Sequence, residues 1–115
     1  MKNIILALIM LNLLSIGFAT QAASFNCDAA RTKTEHVICE HRALNDADVK
    51  MATTYNILRK LVPMGTRGML QDQQVKWLSL RNQCQANLSC LADVYKMRQQ
   101  RLELDMNRIY QQGPF

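Results

Sequence analysis

No segment of this sequence alternates apolar and polar residues with period two over a useful length, so a β-sheet is not expected. Runs of like charge are missing too, which points to a mixed solvated surface and not to a charged binding tail. Repeats, low-complexity tracts and a second linker are absent, which leaves one domain. Histidine is scarce: only His36 and His41 occur, in Glu35-His36-Val37-Ile38-Cys39-Glu40-His41, and neither His-Glu-x-x-His nor His-x-x-Glu-His can be read from them. His36 and Glu40 share a helix face at i, i+4, but a catalytic metal needs three protein ligands and an open position. Ser24, Ser79 and Ser89 have no base at a readable spacing, so no nucleophile has an activating partner. The chain therefore reads as a non-enzyme with no cofactor and no metal. Mature-chain methionines stand at 51, 64, 69, 97 and 106 without the repeat of a copper site, and Met51 and Met106 fall on apolar stripes as core filler.

What is present starts with a leader pattern. Lys2 is the only charge before Asp28, and from Ile4 to Phe18 every residue is apolar or small except Asn12 and Ser15. Ala19-Thr20-Gln21-Ala22-Ala23 then supplies small residues for a signal peptidase, with cleavage after Ala22 preferred and after Ala23 the alternative. The apolar run is shorter than the roughly 20 residues a membrane-spanning helix needs. The expected organisation is a signal peptide over 1–22 and one domain over 23–115, periplasmic or secreted. Loss of Lys2 lowers the formal net charge from +5 to +4, which keeps a small domain soluble without indicating nucleic acid.

Helical spacing dominates the rest. Thr32-Lys33-Thr34-Glu35 fits a capping box, placing a short helix from about Lys33 to Glu40. Leu44, Ala47, Met51, Tyr55, Leu58 and Val62 draw one stripe along a second helix. Pro63, Gly65 and Gly68 interrupt it, so 63–68 reads as a loop. A third helix is expected from about Met69 to Cys84, burying Leu70, Trp77 and Leu78, and a fourth from about Cys90 to Tyr110, ended by Gly113-Pro114. The fold class is thus all-α, a small bundle of one short and three longer helices.

All four cysteines lie beyond the leader, and in an exported chain an even count implies disulfides. Three pairings exist. Cys84 and Cys90 flank the third turn, and the capping box lets residues 27–31 fold back along the first helix. Cys27–Cys39 with Cys84–Cys90 is the expected pairing. At i, i+4 Arg81 can lie over Trp77 as a cation–π pair, and Tyr95 with Arg98 follows a similar pattern. Asp48 is a natural ion-pair partner for Arg81 or Arg98. Asp48, Trp77, Arg81, Tyr95 and Arg98 are accordingly read as scaffold.

Several blocks look familiar together: Phe25-x-Cys27, Ala30-x-Thr32-x-x-Glu35-x-x-Ile38-Cys39, then Leu44, Asp48 and Tyr55, then Gln74-x-x-Trp77-Leu78-x-x-Arg81-x-x-Cys84, and last Cys90-Leu91-x-x-x-Tyr95-x-x-Arg98-x-x-x-Leu102. In this combination the chain resembles the LprI-type lysozyme-inhibitor family, from Phe25 to Leu102. Ala47 departs from the pattern, which has a Leu just before the Asp. The resemblance implies an all-helical exported protein with a protein partner, a lysozyme in the sharpest version. An inhibitor of that kind must plug a cleft whose catalytic groups are two carboxylates. Arg67, in Pro63-Met64-Gly65-Thr66-Arg67-Gly68, is the candidate contact by position and charge. The alternative is a periplasmic envelope-associated or chaperone-like protein that binds anionic or unfolded partners. Its basic surface would be Arg59, Lys60, Lys96, Arg98, Arg101 and Arg108, interrupted by Asp93, Glu103 and Asp105.

Overall fold

The computed structural model describes residues 23–113, so the proposed leader lies outside the described residues. A single 3-10 turn, Cys27–Ala29, precedes four helices: α1 (Lys33–Glu40), α2 (Arg42–Leu61), α3 (Met64–Gln83) and α4 (Leu88–Gln112). No strand occurs among the described residues.

Each helix start has a chemical reason. Thr32 caps α1 by accepting from the Glu35 amide at 3.1 Å. The Glu35 carboxylate reaches back to the Arg31 amide at 2.8 Å, one residue ahead of the cap residue a standard box would use. His41 is shared: its amide closes α1 onto Val37, and its carbonyl accepts from Asn45 to open α2. The chain therefore bends between α1 and α2 without a loop. Asn87 caps α4 by accepting from the Cys90 amide at 3.0 Å. Between α3 and α4 the backbone turns through Gln85, whose φ of 50° lies in the left-handed region. From α1, the Thr34 hydroxyl donates to the Gln85 carbonyl at 3.0 Å, holding that turn against the first helix.

The expected loop at 63–68 is corrected. Val62 and Pro63 alone connect α2 to α3, and Gly65, Thr66, Arg67 and Gly68 lie inside the first turns of α3. Pro63 suits the position just ahead of a helix, because it has a fixed φ and no amide to satisfy. Its carbonyl accepts from the Arg67 amide at 2.9 Å. Both glycines face open space, so they weaken the helix by about 1 kcal/mol each relative to alanine without breaking it.

The core runs along the centre of the bundle through Ile38, Leu44, Met51, Leu58, Leu70, Trp77, Leu91, Tyr95, Leu102 and Met106. Helices α2 and α4 share the most extensive packing, and α3 lies across them on a thinner seam that buries only Leu70, Trp77 and Arg81. Two disulfides close the structure, Cys27–Cys39 and Cys84–Cys90, as expected. Closing loops this short stabilises by roughly 2–3 kcal/mol each, a large fraction of what a small domain has.

Candidate functional site

Asp48 lies on the buried side of α2, at 0% exposure, between Leu44 and Met51. Its Oδ1 accepts from the Tyr95 hydroxyl of α4 at 2.7 Å and stands 3.9 Å from Arg81 Nη1 of α3. Its Oδ2 accepts from the backbone nitrogen of Ser24 at 2.7 Å. One carboxylate thus ties together three helices, α2, α3 and α4, and the chain's N-terminal segment. Arg81 is itself 4% exposed, and its Nε and Nη2 both donate to Asn82 Oδ1, at 3.1 and 2.9 Å. The guanidinium lies 5.8 Å from the Phe25 ring centre and 6.0 Å from that of Trp77. Trp77 meets Tyr95 edge to face at 5.1 Å and donates its indole N–H to the Val94 carbonyl. Burial pushes the Tyr95 phenol well above its ordinary range, and the neighbouring Asp48 charge pushes it further the same way.

Arg98 takes no part in this cluster. It is buried on α4, donates Nε to Gln74 Oε1 at 3.0 Å, and has no ion pair among the described residues. Its Nη2 finds no protein acceptor, and burial lowers its pKa from the usual guanidinium range. The ring-stacked partner expected for Arg98 is corrected: the cation–π contacts are Arg59 over Tyr55 and Arg81 over Phe25 and Trp77. Tyr95 is turned toward Asp48 instead, because its hydroxyl is buried and needs an acceptor.

With no exposed surface, Asp48 can meet no soluble ligand. The cluster therefore acts on packing, and binding belongs to the outside. Sequence patterning missed Ser24 and Asn82 as its partners, and Gln74 as the partner of Arg98. The readable signal was Asp48 itself, an acid in register with Leu44, Met51 and Tyr55 on the apolar side of its helix.

Outside, the α2–α3 corner projects. Lys60 is exposed, as are Leu61 and Met64, the latter at 75%. Arg67 sits behind them, half-buried, its Nε donating to the Arg59 carbonyl at 2.8 Å and so capping the end of α2. Beside the corner is an open cleft of about 450 Å³, floored by Leu58 and Leu70 and rimmed by Arg101, Asp105 and Arg108. A second, of about 350 Å³, runs between α2 and α4 over Ala43, Ala47 and Ala92, with Lys50, Lys96 and Glu103 at its edge. The small side chain at Ala47 helps to open it. The basic residues of α4 do not form a stripe. Arg98 is buried, Arg101 and Arg108 pair with Asp105, and Lys50 from α2 holds Glu103 at 3.3 Å. A hydrogen bond from Gln99, together with that Lys50 contact, keeps the Glu103 carboxyl below its ordinary range.

The polar core is sealed inside a disulfide-stapled helical domain, and the open clefts lie at its surface. The family model described as Lysozyme inhibitor LprI matches residues 27–102, and the chain belongs to that family. The family is one of inhibitors rather than enzymes, and it implies a protein partner. Neither a curated protein nor a solved structure gives a significant match. Among the described residues, no helix is long and apolar enough to cross a membrane, and no three His, Cys, Asp or Glu side chains gather as metal ligands.

Proposed function

We propose that this chain is an exported inhibitor of a lysozyme, released from its leader, that docks through the α2–α3 corner. Family membership, the two disulfides and the leader pattern support it. The observation that carries the choice of surface is the corner itself. It puts the Lys60 cation close in sequence to exposed Leu61 and Met64 at a two-residue bend. A lysozyme cleft offers the complement, two carboxylates within an otherwise substrate-shaped trough. Arg67 braces the corner through the Arg59 carbonyl and adds its positive charge to the same end. The envelope-binding alternative loses support from the burial of Arg98 and the pairing of Arg101 and Arg108 with Asp105.

Turnover of several lysozyme classes, measured against the oxidised mature chain, tests the proposal. Saturable inhibition should appear at micromolar concentration or below. Lys60→Glu with Met64→Asp should weaken it more than tenfold while leaving thermal unfolding unchanged, as expected when a charged contact is lost from an interface. Absence of inhibition across all classes would overturn the reading.

A further inference from the structure

Asp48 is under-supplied with positive charge. Its nearest cation, Arg81 Nη1, stands 3.9 Å away, at the outer limit of an ion pair, and two other nitrogens of that guanidinium are committed to Asn82. Tyr95, facing it from α4, brings a dipole and no charge. Oδ2 has one hydrogen-bond partner, the Ser24 nitrogen, 24 residues away in sequence and 2.7 Å away in space. In the uncleaved chain that nitrogen is a peptide amide. A buried carboxylate supported mainly by neutral donors is costly to keep ionised.

Of the two cuts the leader pattern allows, after Ala22 or after Ala23, the second falls directly before this nitrogen. Hydrolysis of the bond before Ser24 adds one water across it. The Ala23 carbonyl leaves as a carboxylate on the leader, and Ser24 keeps an amine that takes up a proton. We propose that the leader is cut after Ala23 and that the α-ammonium this leaves on Ser24 is the counter-ion of Asp48, so that removal of the leader completes the core. A cut after Ala22 would leave the Ser24 nitrogen a peptide amide and put the ammonium one residue back, on Ala23, away from the contact. The inference rests on the export reading and extends it. The uncleaved chain lacks this pair and folds with a smaller margin, which suits a polypeptide that must cross a membrane unfolded. The Cys27–Cys39 bond, three residues beyond Ser24, then holds the new terminus in place.

The pH dependence follows from the chain terminus. A free α-amino group has an ordinary pKa near 8, and pairing with a carboxylate raises it in the folded state. The stabilisation is therefore complete below about pH 8 and is lost as pH rises through the raised value. Arg81 from α3 opposes the ammonium, and the neutral Tyr95 from α4 does not.

The test compares oxidised chain 24–115 with a free N-terminus against the same chain Nα-acetylated, by thermal unfolding from pH 6 to 10. At pH 6 acetylation should lower Tm by roughly 5–15 °C, and the gap should close as pH climbs well past 8. In an Asp48→Asn background the two forms should melt together. If that variant does not fold, a Gly-Ser extension ahead of Ser24, which moves the charge away and keeps Asp48, should melt like the acetylated chain. Equal melting of the free and acetylated chains at pH 6 overturns the proposal. N-terminal sequencing of the exported protein tests the cut separately: a start at Ser24 is expected, whereas a start at Ala23 or an intact Met1 overturns the pair in the natural protein whatever the two recombinant forms show.

Discussion

Tyr95 and Asp48 are 47 residues apart in sequence and are joined by a 2.7 Å hydrogen bond at the centre of the bundle. The bond fixes the rotation of α4 against α2, since either helix turned about its axis would leave a buried polar group unpaired. Tyr95→Phe keeps the ring against Trp77 and removes only the donor. It should cost about 1.5–3 kcal/mol, the range for a hydrogen bond to a charged group. Denaturant unfolding should show a shifted midpoint with an unchanged slope.

Alkaline pH should unfold this protein through the same residue. The folded state holds Tyr95 protonated well beyond its ordinary range, whereas the unfolded chain ionises it near pH 10. Its contribution is thus whole below about pH 10 and is lost above it. In a pH titration followed by phenolate absorbance and circular dichroism together, one of the three tyrosines should ionise only as helicity disappears. That coincident step should be missing from Tyr95→Phe.

Two buried arginines should respond in opposite ways. Arg81→Met strips Asp48 of its nearby cation and should cost roughly 3–5 kcal/mol. Arg98→Met removes a buried charge with one hydrogen bond and no ion pair, so stability should stay within about 1 kcal/mol of the parent or rise above it. Equal losses for the two would show that Arg98 is supported by more than Gln74.

The corner separates bracing from contact. Arg67→Ala frees the Arg59 carbonyl and should cost about 0.5–1.5 kcal/mol, seen as a Tm lower by several degrees. Lys60→Ala, at an exposed site, should leave Tm within experimental scatter. Inhibition should weaken in both, and only the first loss should be partly restored on cooling.

The helices were legible because their stripes are long and their caps are chemically explicit. Thr32 and Glu35 marked the start of α1, and the stripe from Leu44 to Val62 marked α2. The disulfide pairing followed from which cysteines flank a turn. The start of α3 was misplaced by five residues, since Pro63, Gly65 and Gly68 carry local signals of a break, whereas Pro63 sits at the cap ahead of the helix and both glycines are accommodated in its first turns. In the polar core, helix spacing brought out Trp77 with Arg81, because one turn separates them. It could not bring out Ser24 with Asp48, because that contact is made by a backbone nitrogen and leaves no trace in residue type.

Helix α3 is secured at its two ends, by Arg67 on the Arg59 carbonyl and by the Cys84–Cys90 bond beyond its last turn, while its outward side carries Met69, Val75 and Leu80 in the open. Substitutions along that side disturb neither anchor nor seam. The outer side of this helix is therefore free to vary in sequence while its position in the bundle stays fixed from its ends.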